Sequence, residues 1–324
     1  MADHHLGTVR ASRADPPGRA ADDPARRKTY NAALEQFEEL LHAARTVGPA
    51  SRPLPLFYAL GQASRAIVAA HGDQPDITSH GLAEDRTVQP EDLLQRRIYR
   101  APRKDGSDAF GAVARATGSG DLKHGAEIGA LWAALPSSYR VPVESWQPEW
   151  RLALDVQTGV LAPQADEGLG LAVISLGGNP LVPAFDVFHD RRYPTLPPNA
   201  KGGLRGGREL KAGSWIADVA IPTDGDEDED ALLDRVAPKV YDGEDRALIP
   251  SLPGESGLLS PLMLWWALLF ALSIIARYHP GPWSSALAVE NSKQAVPLEA
   301  ILAKAIDQLP PLVYEAVFLP ADGH

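Results

Sequence analysis

Cysteine is absent from the sequence, which excludes disulfides, thiolate metal sites, iron–sulfur clusters and a cysteine nucleophile. Basic residues are also in deficit: 31 Lys and Arg residues stand against 42 Asp and Glu residues, and the formal net charge is −11. This balance argues against a protein that coats nucleic acid through a general basic surface. The first residues lack the apolar core of a secretory signal, so we expect a cytoplasmic protein.

The common catalytic signatures are missing as well. No Gly-x-Ser-x-Gly elbow, His-Glu-x-x-His helix, Walker motif or dinucleotide fingerprint occurs. The acidic run at residues 224–230 does not fit a calcium loop, since Glu229 and Arg235 stand where an EF-hand needs Gly and Glu. We therefore predict no cofactor and no metal site, and the usual enzyme classes receive no support.

Long apolar runs are rare, and the most prominent one is LMLWWALLFALSIIA at residues 262–276. Ser260 and Pro261 precede it and are typical of a helix start. As a helix, the run would extend about 22 Å, less than the ~30 Å hydrocarbon core of a bilayer. It therefore predicts a buried core helix and no membrane span.

The N-terminal part divides into two predicted segments. Residues 1–26 are polar, charged and rich in Pro and Ala, which predicts a disordered tail. Residues 27–82 contain two apolar stripes of helical spacing, at residues 28–46 and 51–71, separated by Gly48 and Pro49. We expect these two helices to pack as an antiparallel hairpin.

Short, turn-bounded segments fill residues 83–255 and predict a mixed α/β region. Strand-length runs occur at residues 150–156, 170–176, 184–188 and 214–221, and a short helix is expected at 127–135. The Gly-Gly pairs at 177–178, 202–203 and 206–207 predict turns or a mobile loop. Residues 256–324 return to helix, with a Pro-Pro kink expected at 310–311. The predicted fold is α+β: a mainly helical bundle built from both chain ends, with a strand-containing middle insertion.

Several segments carry a resemblance to a known family. They are residues 33–41, the segment PLFYALGQASRA at 55–66, the triplet His80-Gly81-Leu82, and Leu272-Ser273 leading to Arg277, Tyr278 and Trp283. They resemble the YaaC-like family of bacterial proteins over the first and last thirds of the chain. The resemblance implies a fold and no particular chemistry. It favours a non-enzymatic binding or scaffolding protein in a bacterial regulatory or defence assembly, with a protein partner or a second copy of the chain.

An alternative comes from Arg65 and His71, whose spacing resembles the Arg-x4–6-His pattern of HEPN ribonucleases. That resemblance implies metal-independent RNA cleavage, in which His assists the 2′-hydroxyl and Arg holds the phosphate. It predicts that Arg65 and His71, or Arg277 and His279, converge in one cleft across a dimer interface. His80 is a candidate second imidazole. An unbroken helix separates positions 65 and 71 by about 120° around its axis, so the pair needs a kink to converge. Otherwise Arg65 is simply solvated and His71 interacts with the helix dipole.

Two further groups are candidate binding residues. Arg277, Tyr278, His279 and Trp283 leave the apolar helix together, so a rigid element would hold them. Alternatively, Tyr278 and Trp283 complete the core and Arg277 caps helix carbonyls. In the glycine-rich stretch 201–211, Lys201, Arg205 and Arg208 are candidates for binding a phosphate or a nucleic-acid backbone. A flexible surface loop is the alternative for that stretch.

Overall fold

The structure is a computed structural model, and the chain divides into two compact units. The structure describes residues 2–73, 77–87, 92–136, 141, 147, 150, 153–161, 170–178, 193–196, 201–209, 215–223, 229–236, 246–255 and 257–318. Unit 1 comprises Met1–Trp132, Val143–Ser145 and Gly254–His324, and unit 2 comprises Ala133–Pro142 and Trp146–Pro253. The mainly helical unit 1 is thus built from both chain ends, and together with the strands of unit 2 it confirms the predicted α+β fold.

The helices and strands have the following bounds. In chain order the helices are α1 (Ala2–Ala11), α2 (Arg19–Asp22), α3 (Pro24–Thr46), α4 (Pro53–His71), α5 (Ala109–Ala116), α6 (Ile128–Ala134), α7 (Glu229–Val236), α8 (Pro261–Tyr278), α9 (Pro280–Leu287) and α10 (Ala295–Phe318). The strands are β1 (Leu82–Glu84), β2 (Arg97–Arg100), β3 (Ala126–Glu127), β4 (Leu154–Leu161), β5 (Gly170–Gly178), β6 (Lys201–Glu209), β7 (Trp215–Thr223) and β8 (Arg246–Leu248).

Helices α3 and α4 pack against each other as the predicted hairpin. Helix α3 begins earlier than predicted, because the side chain of Asp23 accepts hydrogen bonds from the Ala25 and Arg26 amides and Pro24 follows in the first turn. The buried guanidinium of Arg26 donates to four carbonyls at the end of α4: those of Val68, Ala69, Gly72 and Asp73, at 2.9–3.3 Å. Arg26 thereby donates to carbonyls at a helix end, where intrahelical partners run out, although the Val68 carbonyl also accepts from the Gly72 amide and the Gly72 carbonyl from Arg19.

The prediction of a disordered tail at residues 1–26 is wrong. Helix α1 packs against α10 and α3, and its two large apolar residues, Leu6 and Val9, are buried. The His5 and Tyr314 rings lie 4.9 Å apart, and Ser12 Oγ hydrogen-bonds the buried Tyr30 hydroxyl at 2.6 Å. Polar contacts to later helices therefore order a segment whose own apolar content is low.

Helix α8 lies in the core of unit 1, and every residue from Leu262 to Ile275 is buried. It packs against α4, α9, α10 and β1, so elements from both chain ends cover it as predicted. Its 18 residues rise about 27 Å, which makes it long and apolar enough to cross a membrane. Length therefore does not exclude a span, but 78% of the helix window is buried within the protein, as in a core helix.

A small antiparallel sheet in the order β1-β2-β3 belongs to unit 1, together with α5. The predicted boundary at residue 83 is therefore wrong, because the chain stays in the helical unit until Trp132. Pairing of β1 with β2 and packing of α5 on α4 tie these residues to the bundle. At the C-terminal end, α10 runs unbroken through the buried Pro310 and Pro311, where a kink was expected.

Unit 2 contains a five-stranded antiparallel sheet in the order β6-β7-β5-β4-β8. Strands β4, β5 and β7 confirm three of the predicted strands, and α6 confirms the predicted short helix. The predicted strand at 184–188 lies outside the described residues. The Gly-Gly pairs at 177–178 and 202–203 lie in β5 and β6 and pair with β7 instead of forming turns. The pair at 206–207 lies in β6 where the register with β7 shifts between Gly203 and Arg208.

Candidate functional site

Four elements of unit 1 meet where α8 ends. The end of α8 supplies Arg277 and Tyr278, the second turn of α4 supplies Tyr58, and the turn before β1 supplies His80. We call these four residues the exit surface, and all four are at least partly exposed. The fourth element is the segment before β2, which lies beneath these residues. Its Arg96 forms a hydrogen bond with Glu84 of β1.

Arg277 links the two tyrosines of the exit surface. Its Nη1 donates to the Tyr58 hydroxyl at 2.8 Å, and its guanidinium carbon lies 4.6 Å from the centre of the Tyr278 ring. Tyr58 is 45% exposed and Tyr278 is 57% exposed. Among the described residues, no carboxylate lies within 4.0 Å of the Arg277 nitrogens. Its positive charge is therefore in contact with aromatic rings and solvent and has no neutralising partner there.

His80 has a defined tautomer in this geometry. Its Nδ1 accepts a hydrogen bond from the Leu82 amide at 3.1 Å, so the neutral ring carries its proton on Nε2. The ring packs against Phe57 and Phe270, with centroids 5.9 Å and 5.0 Å away. Burial against these rings and the charge of Arg277 both lower the pKa of His80 below its usual 6.5. His80 is therefore a neutral N–H donor near neutral pH.

The turn that holds His80 is fixed by Gly81 and Asp108. Gly81 has a φ of +79°, and a methyl group there would come within 2.7 Å of Asp108 Oδ1. The buried Asp108 accepts from the Gly111 amide at 2.8 Å and from Arg100 at 3.2–3.3 Å. The His80 carbonyl also accepts from the Phe110 amide at 3.2 Å. Only glycine fits both the conformation and the space at residue 81, so the turn is rigid.

A buried network lies next to the exit surface. The Glu84 side chain is 4% exposed, and its Oε1 accepts from Arg96 Nε at 2.8 Å and also from Arg96 Nη2. Arg96 Nη2 also donates to His279 Nε2 at 3.0 Å. Since arginine only donates, Nε2 of His279 is unprotonated in this arrangement. Glu84 Oε2 has no hydrogen-bond partner among the described residues and lies 3.9 Å from His279 Nε2.

The residues of the predicted ribonuclease site are not brought together within the chain. Arg65 is exposed at a surface groove between α3 and α4, beside Lys28, Gln36 and Gln62. His71 Nε2 lies 2.6 Å from the Val317 carbonyl of α10, to which it donates. His80 neighbours Arg277 and is not among the residues that line the groove at Arg65. Helix α4 is continuous over these residues, without the kink that convergence requires.

The other predicted binding residues are divided between the two units. Trp283 is 3% exposed and its indole donates to the Ala50 carbonyl at 2.8 Å, so it is part of the core and not of the exit surface. Lys201, Arg205 and Arg208 lie in β6. Lys201 and Arg208 pair with β7, and Arg205 lies where the register between the two strands shifts. His279 belongs to the buried network, and only Arg277 and Tyr278 of that predicted group are largely exposed.

Three residues of this region were missed in the sequence: Tyr58, Glu84 and Arg96. The apolar stripe of α4 suggested that Tyr58 is buried, but its hydroxyl reaches Arg277 at the surface. Glu84 and Arg96 sit in short segments whose pairing is non-local, so no spacing in the sequence signals it.

Residues 13–143 and 211–317 match the family model described as YaaC-like Protein. This match covers more than half of the chain and includes every residue of the exit surface and of the Glu84 network. No curated protein and no solved structure matches the chain.

Proposed function

The chain belongs to the YaaC-like family, and from that premise we propose that it is a non-enzymatic binding or scaffolding protein. We assign it to the cytoplasm, in a bacterial regulatory or defence assembly, with another protein or a second copy of the chain as its partner. The observation that carries the proposal is the exit surface, an exposed arginine between two exposed tyrosines on a rigid helix end.

The composition of the exit surface supports binding. Tyrosine and arginine are enriched among the residues that dominate the energy of protein interfaces. A tyrosine has few rotatable bonds and loses little entropy when a partner covers it. The hydrogen bond between Arg277 and Tyr58 orders both side chains before any partner arrives, which lowers the cost of association.

The placement of Arg65 and His71 supports a non-enzymatic role over the ribonuclease alternative. Catalysis of RNA cleavage needs the base and the phosphate-binding group around one scissile bond. His71 uses its Nε2 on the Val317 carbonyl, and Arg65 faces a groove on the α3 side of the hairpin. Within one chain the two side chains therefore have different neighbours, which favours the non-enzymatic role.

An RNA cleavage assay tests that alternative directly. Purified wild type, His71→Ala and Arg65→Ala proteins are incubated with bulk RNA in EDTA at high protein concentration. We expect no cleavage above the buffer control in any of the three. Metal-independent cleavage by the wild type that both substitutions abolish would overturn the proposal.

A matched pair of tyrosine variants tests the binding role. Tyr278→Ala removes a 57% exposed ring from the exit surface, and Tyr99→Ala removes a 39% exposed ring from β2. Partners recovered from cells by each protein are compared, and self-association is measured by sedimentation. We expect a complex that survives Tyr99→Ala and is lost with Tyr278→Ala. The proposal would be contradicted if the wild type and both variants formed the same complexes, or if none of the three proteins formed a complex.

A further inference from the structure

We propose that the exit surface recognises the phosphate group of an organic phosphate monoester. The inference rests on the proposed binding function and names the chemistry of the ligand. It follows from the hydrogen-bonding character, the charge and the shape of the four residues.

Three groups of the exit surface, on Tyr58, His80 and Arg277, offer hydrogen-bond donors to a ligand. The Tyr58 oxygen already accepts from Arg277, so the hydroxyl proton points to another acceptor. His80 uses Nδ1 as its acceptor and keeps the N–H of Nε2. Arg277 uses one of its five N–H groups on Tyr58 and has no acceptor atom. A ligand that satisfies this surface must supply acceptors.

The charge of the surface selects an anion. Arg277 has no carboxylate within 4.0 Å among the described residues, whereas the neighbouring Glu84 is already paired with Arg96. The negative end of the α8 dipole opposes an anion, but its equivalent of about half a charge is smaller than the full charge of a guanidinium. Among the described residues, the exit surface therefore offers an anion a guanidinium that no carboxylate pairs.

The arrangement of the donors favours phosphate over carboxylate. The fork of one arginine satisfies both oxygens of a carboxylate in one plane. Here three donor groups come from three elements: the end of α8, the second turn of α4 and the turn before β1. A phosphate monoester offers three terminal oxygens in a tetrahedral arrangement, one for each donor. The exposed rings of Tyr58 and Tyr278 supply apolar surface for the organic part of the ester.

Calorimetric titration of the full chain with defined probes tests the inference. The probes are phenyl phosphate, benzoate, inorganic phosphate and a short peptide with one phosphotyrosine. We expect phenyl phosphate to bind more tightly than benzoate and inorganic phosphate. A peptide that binds more tightly than phenyl phosphate identifies a phosphorylated protein as the source, and equal affinities identify a small molecule. Absence of phenyl phosphate binding at roughly ten millimolar, or tighter binding of benzoate, would overturn the inference.

Charge-matched variants locate the site. Arg277→Gln and Arg65→Gln each remove one exposed positive charge, and only Arg277 belongs to the exit surface. We expect Arg277→Gln to weaken phenyl phosphate binding about tenfold or more, since charge-assisted bonds are lost, while Arg65→Gln binds as the wild type does. Equal thermal unfolding temperatures verify that both variants are folded. Loss of binding in Arg65→Gln alone, or in neither variant, would place the anion elsewhere.

The two proposals fail separately. A complex that depends on Tyr278, combined with no phosphate binding, leaves the binding function standing and refutes the ligand chemistry. Phosphate binding that depends on Arg277, combined with RNA cleavage that depends on His71, refutes the non-enzymatic role and leaves the anion site standing.

Discussion

Arg277 Nη1 donates to the hydroxyl of Tyr58 at 2.8 Å, and this bond joins the end of α8 to the second turn of α4 across 219 positions of the chain. Both side chains are exposed, so water competes with the bond on every side. The bond therefore orders the surface more than it stabilises the fold.

Tyr58→Phe tests this relationship. The variant keeps the ring and removes the hydroxyl, so we expect the free energy of unfolding in urea to change by less than about 1 kcal/mol. Phenyl phosphate binding should weaken several-fold, because one donor is lost and Arg277 is no longer held. A loss of several kcal/mol in stability would mean that the bond is structural.

Arg26→Ala should destabilise unit 1 strongly. The substitution removes a buried cation that donates to four carbonyls at the end of α4. The Val68 carbonyl keeps its bond from the Gly72 amide and the Gly72 carbonyl keeps its bond from Arg19, but the bonds from Arg26 to the Ala69 and Asp73 carbonyls are lost. We expect a loss of about 3 kcal/mol in urea denaturation. The neighbouring Arg27 is exposed and bonds only the Ala20 and Ala21 carbonyls, so Arg27→Ala should cost about 1 kcal/mol or less. Equal losses in the two variants would refute the capping role.

The raised pKa of Tyr30 predicts a loss of stability at high pH. Burial raises the pKa of Tyr30 from 10.0 to about 12, and the hydrogen bond with Ser12 offsets this only in part. Between these values the unfolded chain releases the proton and the folded chain keeps it, so stability is complete below pH 10 and falls above it. We expect a slope of about 1.4 kcal/mol per pH unit. Tyr30→Phe should remove this slope in urea denaturation at pH 9 to 12, and an unchanged slope would contradict the assignment.

Substitution of two glycines by alanine should change the stability of the protein in opposite directions. Gly81→Ala forces a side chain onto a φ of +79° and against the fixed Asp108 carboxylate, and we expect a cost of about 3 kcal/mol. Gly61 lies inside α4 with nothing within 4 Å of an added methyl group. Gly61→Ala should therefore stabilise the protein by about 0.5–1 kcal/mol through helix propensity. Thermal unfolding of both variants measures the difference, and the same sign in both would be inconsistent with it.

The pKa of His80 should depend on the charge of Arg277. Burial, followed by the charge of Arg277, lowers the pKa of His80. The neutral His80 side chain therefore contributes to stability fully above pH 6.5, and this contribution is lost as the pH falls below 6.5. In Arg277→Gln the pKa should rise, because one of the two causes is removed. A bound phosphate should also raise it in the wild type, because the anion favours the imidazolium. NMR titration of the His80 ring measures both shifts, and a pKa that neither change moves would show that Arg277 does not act on His80.

The long helices were predictable because each carries local signals. The spacing of apolar residues in α3 and α4, and Ser260-Pro261 before α8, mark helices without reference to the rest of the chain. Helix α1 has only two large apolar residues, Leu6 and Val9, and it is also ordered by the contact of the buried His5 with Tyr314. Such long-range contacts produce no periodic pattern of apolar residues in the sequence. This is why the N-terminal segment was predicted to be disordered.

The candidate site was predictable in part for the same reason. Arg277 and Tyr278 follow directly from the end of a recognisable helix. The partners Tyr58, Glu84 and Arg96 come from other elements, and only the folded chain brings them together. Arg65 and His71 show the converse: their spacing in sequence suggested a site, but the regular rotation of α4 directs them to different neighbours.

The packing of α1 against α10 also determines when the protein can finish folding during synthesis. Residues of α1 such as His5 leave the ribosome before their partner Tyr314, which is made about 300 residues later. At 5–20 residues per second, this interval lasts roughly 15–60 s. The hairpin of α3 and α4 is complete after residue 71, and the surface that α8 and α10 later cover stays exposed to water until those helices are made. Until then the nascent chain presents apolar surface of the kind that makes folding intermediates prone to aggregation.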